Sequence, residues 1–241
     1  MTFIKNCFCI ILFLPGLLTA QTLEKIVAKP TNEVYYVLRE DPTLRQGPYQ
    51  KMGKSYDLLV SGFYKNNLRD SIWTFYTGLG RQASTQGKYL KDQRIGLWET
   101  FDYNGLLTQQ YDYTNKKLLF NKFNAKDQER TYKIAQGIDT VYKKLDRPPV
   151  YIGNDIITSL RQIKYPAVAR EKSISGTVNI GFVVDTQGKT SGHRVINGIG
   201  GGCDEEALRV VKMIPDNWIP GMLYGKETAV EYILPVEFKL E

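Results

Sequence analysis

The sequence predicts two unlike parts: an all-β repeat meander, then an α+β domain whose antiparallel sheet of about three strands carries two helices. Three observations predict this. Glycine, tyrosine, arginine and tryptophan recur at a fixed offset between residues 61 and 105, and such self-similarity marks one supersecondary unit stacked on itself. After residue 165 the hydrophobic period switches repeatedly between that of helix and that of strand. Between the two, Arg147-Pro148-Pro149 interrupts regular structure, because proline has a fixed φ and no N–H to donate. The chain therefore divides into a leader at 1–20, a β-repeat domain at 21–120, a connector at 121–146 and an α+β domain at 147–241. At 241 residues and 42% hydrophobic it can bury a sizeable core.

The leader, MTFIKNCFCIILFLPGLLTA, has one positive charge at Lys5, an apolar run from Cys7 to Leu18 and a small residue, Ala20, before Gln21. This is the layout of a cleavable signal peptide. A membrane span needs about 20 apolar residues; this run is shorter, and Pro15-Gly16 interrupts it. The expectation is export to the periplasm or cell envelope with cleavage after Ala20, the alternative an inner-membrane anchor left uncleaved. Cleavage leaves Cys203 as the sole cysteine, so no internal disulfide can form. The formal net charge is +7, carried mostly by the first 150 residues. No clustered Lys/Arg run accompanies it, which reads as an ordinary solvated surface.

In the repeat domain, SGFYKNNLRDSIWTFYTGLG (61–80) aligns with QGKYLKDQRIGLWETFDYNG (86–105). Gly62 matches Gly87, Tyr64 matches Tyr89, Arg69 matches Arg94, Trp73 matches Trp98 and Gly80 matches Gly105. Gly47 and Tyr49 read as a degenerate copy, and QQYDYTNKKLLF as a terminal one. LWETFDY and LLTQQYDY flank Asn104-Gly105, a two-residue hairpin signal because both residues accept positive φ. The glycines then serve backbone geometry while the aromatics pack between hairpins. Aromatic sheets can also stack bases, but no basic strip accompanies these, so no nucleic acid is expected as a partner. Residues 121–146 are polar and weakly patterned, a connector with room for a short strand at Tyr132–Ala135.

In the last part, Tyr165-Pro166 opens a short helix, with Pro166 where a missing N–H costs nothing. Val178, Ile180, Phe182 and Val184 alternate onto one strand face, Asp185–Gly188 turn, and His193–Asn197 lead out as a second strand. Ala207, Leu208, Val211 and Ile214 recur at helical spacing until Pro215. Val230, Tyr232, Leu234, Val236, Phe238 and Leu240 alternate in a final strand. Pro235 cannot donate to a ladder, which marks that strand as an edge, and an open edge can accept an extended peptide as one more strand.

Chemistry is not expected. The single histidine, His193, and Cys203 lack a third group to orient a base, and a lone cysteine at a helix start reads as a small buried hydrophobe. No zinc spacing, Walker loop or nucleophile elbow occurs. Ile196–Val211, INGIGGGCDEEALRVV, has the glycines of a phosphate loop, yet Asp204, Glu205 and Glu206 put negative charge at the helix start and would repel a phosphate. The glycines read instead as a tight strand-to-helix corner. No catalytic residue, metal ligand or cofactor is assigned.

Two resemblances follow. The G-x-Y, R, W, N-G pattern over about residues 45–115 resembles MORN-type repeats of the antitoxin-like and envelope variety, which implies a β-meander used for contacts. Tyr165-Pro166 with Ala169-Arg170, the SGTVNIGFVVDTQGK hairpin, Glu206-Ala207, Trp218 with Pro220-Gly221, and YILPVEFKL together resemble the TonB C-terminal domain. This implies a periplasmic binding domain of the energy-transducing transport machinery. Its partner would be the TonB box of an outer-membrane receptor or another envelope protein, paired through Tyr165, Pro166, Val230, Glu231, Tyr232, Ile233 and Leu234. Homodimerisation through the edge strands stays open. The alternative is an envelope scaffold without energy transduction, since no proline-rich spacer is present and the repeats stand in its place.

Overall fold

The computed structural model describes residues 22–77, 82–123, 129–136, 139–153 and 155–240. The expected signal peptide at 1–20 and Gly80 of the first repeat lie outside the described residues. The chain divides into two units, Met1–Lys122 and Phe123–Glu241. Among the described residues no helix is long and apolar enough to cross a membrane.

The first unit is a meander in which every strand pairs antiparallel with the next. Its strands are β1 (Leu23–Ala28), β2 (Glu33–Leu38), β3 (Arg45–Met52), β4 (Leu58–Lys65), β5 (Leu68–Tyr76), β6 (Ala83–Leu90), β7 (Gln93–Phe101), β8 (Leu107–Asp112) and β9 (Lys117–Asn121). Two-residue hairpins occur where both turn residues take positive φ, at Asn66-Asn67 (53° and 67°) and Lys91-Asp92 (50° and 66°), the mirror-image turns that match strand twist. Asn104-Gly105 differs from its expectation. Phe101 pairs with Leu107, and only Gly105 has positive φ. The reason is Asp102, whose carboxylate accepts from the Asn104 and Leu106 amides at 2.9 and 3.0 Å and holds a longer loop closed.

The repeated residues occupy equivalent places on one face. Tyr49, Trp73, Tyr89 and Trp98 are buried as one cluster. Their rings run as a ladder, Trp73 to Tyr89 at 5.9 Å, Tyr89 to Trp98 at 5.0 Å and Trp98 to Tyr113 at 5.8 Å, all edge to face. Each indole N–H finds a strand carbonyl: Trp73 donates to Phe63 at 3.1 Å and Trp98 to Lys88 at 3.2 Å. The matched arginines cap the rings, Arg69 lying 4.2 Å over Tyr89 and Arg94 4.6 Å over Trp98, where the ring quadrupole attracts a cation. The opposite face carries a cross-strand row of polar residues, Gln50, Ser61, Thr74, Gln86, Glu99 and Gln110. Within it Glu99 accepts from both Gln86 and Gln110.

The repeat glycines are there for the tryptophans. A Cβ on Gly62 would lie 2.2 Å from the Trp73 ring, and one on Gly87 2.2 Å from the Trp98 ring. The recurring pair is thus a missing side chain under an indole.

The second unit holds one five-stranded sheet in the order β11-β10-β18-β13-β14. Its strands are β10 (Thr131–Gln136), β11 (Asp139–Lys144), β13 (Gly176–Val184), β14 (Thr190–Asn197) and β18 (Val230–Phe238), all antiparallel to their neighbours. Two short pairs complete it: β12 (Val150–Tyr151) with β15 (Trp218–Ile219), and β16 (Gly221–Leu223) with β17 (Lys226–Thr228). Among the described residues the helices are α1 (Asp155–Leu160), α2 (Ala167–Glu171) and α3 (Cys203–Val211). The segment read as a connector is therefore part of the sheet: β10 and β11 add two strands to the three expected, and α1 is a third helix. The short strand expected at Tyr132–Ala135 is β10; among its described side chains Tyr132 and Ile134 are buried, 3% and 2% exposed.

One face of the sheet makes the core. Val178 opposes Val236, Ile180 opposes Leu234, Phe182 opposes Tyr232 and Val184 opposes Val230. Ala169 of α2 and Cys203, Ala207 and Val211 of α3 close over them. Each such buried Val, Ile or Phe contributes about 1.5–3 kcal/mol.

Replacing Gly87 by alanine should destabilise the first unit by about 1–3 kcal/mol, because the Trp98 indole must move off its carbonyl partner. Gly96, at φ 60° with nothing within 4 Å of a new Cβ, pays only backbone strain of about 1 kcal/mol. Thermal unfolding followed by near-UV circular dichroism checks the order; equal losses at the two positions would contradict the close-packing account.

Candidate partner-binding edge

Along β18 the side chains alternate. Tyr232, Leu234, Val236 and Phe238 point into the core, and Glu231, Ile233, Pro235 and Glu237 lie on the opposite face. Tyr232 packs against Trp218 at 4.9 Å and Phe182 at 5.8 Å. Tyr232 and Leu234 are therefore core residues, not side chains offered at the strand's edge.

The edge expected for the whole strand is partly covered. β10 pairs with β18 at Lys133–Glu231 and Ile134–Val230, so Val230 and Glu231 lie between two strands. From Ile233 to Phe238, β13 is the one paired strand among the described residues. Pro235, which lacks an N–H, falls in that stretch.

The covered end is fixed by charge and by packing. Glu231, its side chain 10% exposed, lies 3.2 Å from the Lys133 ammonium and also accepts from Arg194 of β14. Gly181 makes room for this: a Cβ there would come within 2.8 Å of Ile196 and 3.2 Å of the Glu231 carboxylate. Ile134, Tyr132, Leu145, Leu223 and Val230 form a small core of their own beneath β10. The short strand expected at Tyr132–Ala135 contains Lys133 and Ile134, but nothing in the polar sequence 121–146 placed that strand beside β18.

Tyr165 and Pro166 are at the other end. The Tyr165 hydroxyl donates to the Ile174 carbonyl at 2.5 Å, and its ring meets Phe238 edge to face at 5.7 Å. Val230 is eight residues farther along the strand, roughly 26 Å at the strand rise. Of the expected site residues, Tyr165 thus lies at the Phe238 end of β18, whereas Val230–Leu234 run from its other end to its middle. Pro166 is the N-cap of α2, with φ −64° and ψ 141°.

The glycine corner is built as a packed turn. Gly200, Gly201 and Gly202 have φ of 73°, 64° and 87°, and Gly201 and Gly202 press against Ala169 and Pro166 of the α2 start, where a Cβ would lie 3.1 and 3.2 Å away. The carboxylates do not cap the first amides of α3. Asp204 accepts from the Ile199 and Gly200 amides at 2.8 and 3.2 Å, and Glu206 from the Lys164 amide at 2.6 Å and from Arg209. The Arg209 hydrogen bond, with the Lys164 amide, outweighs burial and holds the Glu206 carboxyl below its usual range. Cys203 is fully buried; burial, with Asp204 and Glu205 beside it, pushes its thiol up. His193 stacks on Phe182 at 5.0 Å, and no hydrogen bond joins it to Cys203. Burial, with Lys212 nearby, pushes the imidazole down, against the pull of Asp216.

Residues 161–240 match the family model described as Gram-negative bacterial TonB protein C-terminal. The TonB-like stretch takes in α2, β13, β14, α3 and β18 and stops short of β10 and β11, which lie outside it. No curated protein matches the chain. Among solved structures the chain is similar to the crystal structure of TarM and to that of a mutant of S. aureus TarM in complex with Fondaparinux, alpha-GlcNAc-glycerol and UDP. Each shows 18% identity and a TM-score of 0.21 over 42% of this chain and 21% of that one. The chain spans about a fifth of the length of those structures.

Cys203 should resist a thiol reagent at pH 8 in the folded protein and react only on unfolding, as read by mass mapping of its peptide. Rapid labelling with a thiolate pH profile in the native state would contradict its role as packing.

Proposed function

We propose that this is a binding protein of the cell envelope whose TonB-like unit takes up an extended segment of an outer-membrane receptor as an added strand, as part of energy-transducing transport. The observation that carries the reading is the stretch of β18 from Ile233 to Phe238, paired to β13 alone among the described residues. It lies inside the TonB-like stretch. Such an edge supplies backbone donors and acceptors to any extended peptide, and side-chain pockets add selectivity. The chemistry of the role is binding, not catalysis. We assign the MORN-like first unit to protein contacts in the envelope, supported by the repeated glycine–tryptophan packing, and we read residues 1–20 as its export signal.

The test is titration of the purified full chain with a receptor TonB-box peptide, native and with alternate backbone amides N-methylated. N-methylation removes ladder hydrogen bonds and leaves the side chains in place. Strand addition predicts binding of the native peptide and a loss of about tenfold or more on methylation; no binding, or equal binding of both peptides, would refute it.

A further inference from the structure

The hairpin of β10 and β11 sits where a partner strand would have to start. One side of a strand can carry one ladder, and at Val230 and Glu231 that side of β18 is taken by Ile134 and Lys133. The hold is local. β10 keeps two register pairs with β18, against six with β11 and nine between β13 and β18. The hairpin can therefore leave the sheet as a unit, with its own ladder intact. What secures it is the pairing of Lys133 with Glu231 and the burial of Tyr132 and Ile134 against Leu145, Leu223 and Val230. It is also an addition to the recognised domain, because residues 131–144 precede the matched stretch.

We propose that β10 is an internal competitor for the partner's place on β18: β10 and an added strand exclude one another at Val230–Glu231, and a partner gains the full edge only by releasing the hairpin. This rests on the strand-addition reading. β10 also shows what chemistry the covered end accepts. A competing segment places a branched aliphatic side chain opposite Val230, which is fully buried, and a basic one next to it opposite Glu231. Arg194 stays on Glu231 from the β14 side when Lys133 departs, so release does not leave that carboxylate without a cation. A segment that lacks this pair of side chains is confined to Ile233–Phe238.

The experiment loosens the hairpin and leaves β18 unaltered. The variant is K133E in the full chain, which replaces the cation of β10 opposite Glu231 by a like charge. The probe is a fluorescent peptide copying residues 129–136, ERTYKIAQ, titrated against the natural chain and against the variant. Competition predicts that the peptide binds the variant more tightly than the natural chain, by about threefold or more. Equal binding to both, or none to the variant, overturns it. A receptor peptide that binds both proteins alike also overturns the competition, and leaves strand addition along Ile233–Phe238 standing.

Discussion

The second unit depends on the ladder between β13 and β18. Nine residue pairs run without a register shift from Gly176–Phe238 to Val184–Val230, and a slip by one residue would turn every inward side chain outward. That register places Val178, Ile180, Phe182 and Val184 beside Val236, Leu234, Tyr232 and Val230, so one face is apolar throughout and the helices have a surface to close over. The same register puts Glu231, Ile233, Pro235 and Glu237 on the other face. What β18 can offer a partner is then its backbone side and that second row, not the aromatic side chains that the sequence displays most prominently.

In the first unit the corresponding constraint is volume. Gly62 and Gly87 leave the space that Trp73 and Trp98 fill, and the indoles hold the neighbouring tyrosines edge to face. Aromatic pairs of this geometry add about 0.5–1.5 kcal/mol each beyond their buried area. A residue pair repeated along the sequence thus becomes a ladder across the strands. The arginines stacked on it belong to the packing, which leaves the polar row of the opposite face as the surface with hydrogen-bonding capacity.

Much of this was legible in the sequence, and the exceptions have common physical causes. The alternation from Val178 to Val184 and from Val230 to Phe238 announced strands because one face is turned into the core; Leu240, expected to continue the second, lies past its end and is 40% exposed. The repeat glycines were visible, but their reason was not: sequence spacing suggested turn geometry, whereas the structure shows them beneath indoles. β10 gave a weak period, enough for a short strand at Tyr132–Ala135 but not for its place beside β18. The β18 edge was therefore expected to be wholly open, with Tyr232 and Leu234 among its partner contacts. Asn104-Gly105 misled for a related reason. Dipeptide preference cannot register the Asp102 carboxylate that holds a longer loop, while Lys91-Asp92 makes a two-residue hairpin with no glycine at all. Tyr165 and Pro166 were correctly placed at a helix start, yet their separation from Val230 is a matter of strand length, which the motif does not carry.

The central claim is that β18 is paired with β10 at Val230 and Glu231 and, among the described residues, with β13 alone from Ile233 to Phe238. Native-state amide hydrogen exchange along this one strand tests it most directly. In an antiparallel pair the hydrogen bonds to a given neighbour come from alternate residues. The account predicts protection at both Val230 and Glu231, then protected and fast-exchanging amides in alternation from Ile233 to Phe238, with Pro235 contributing none. Unbroken protection through Phe238 would mean that another strand already occupies the edge, and would contradict the account.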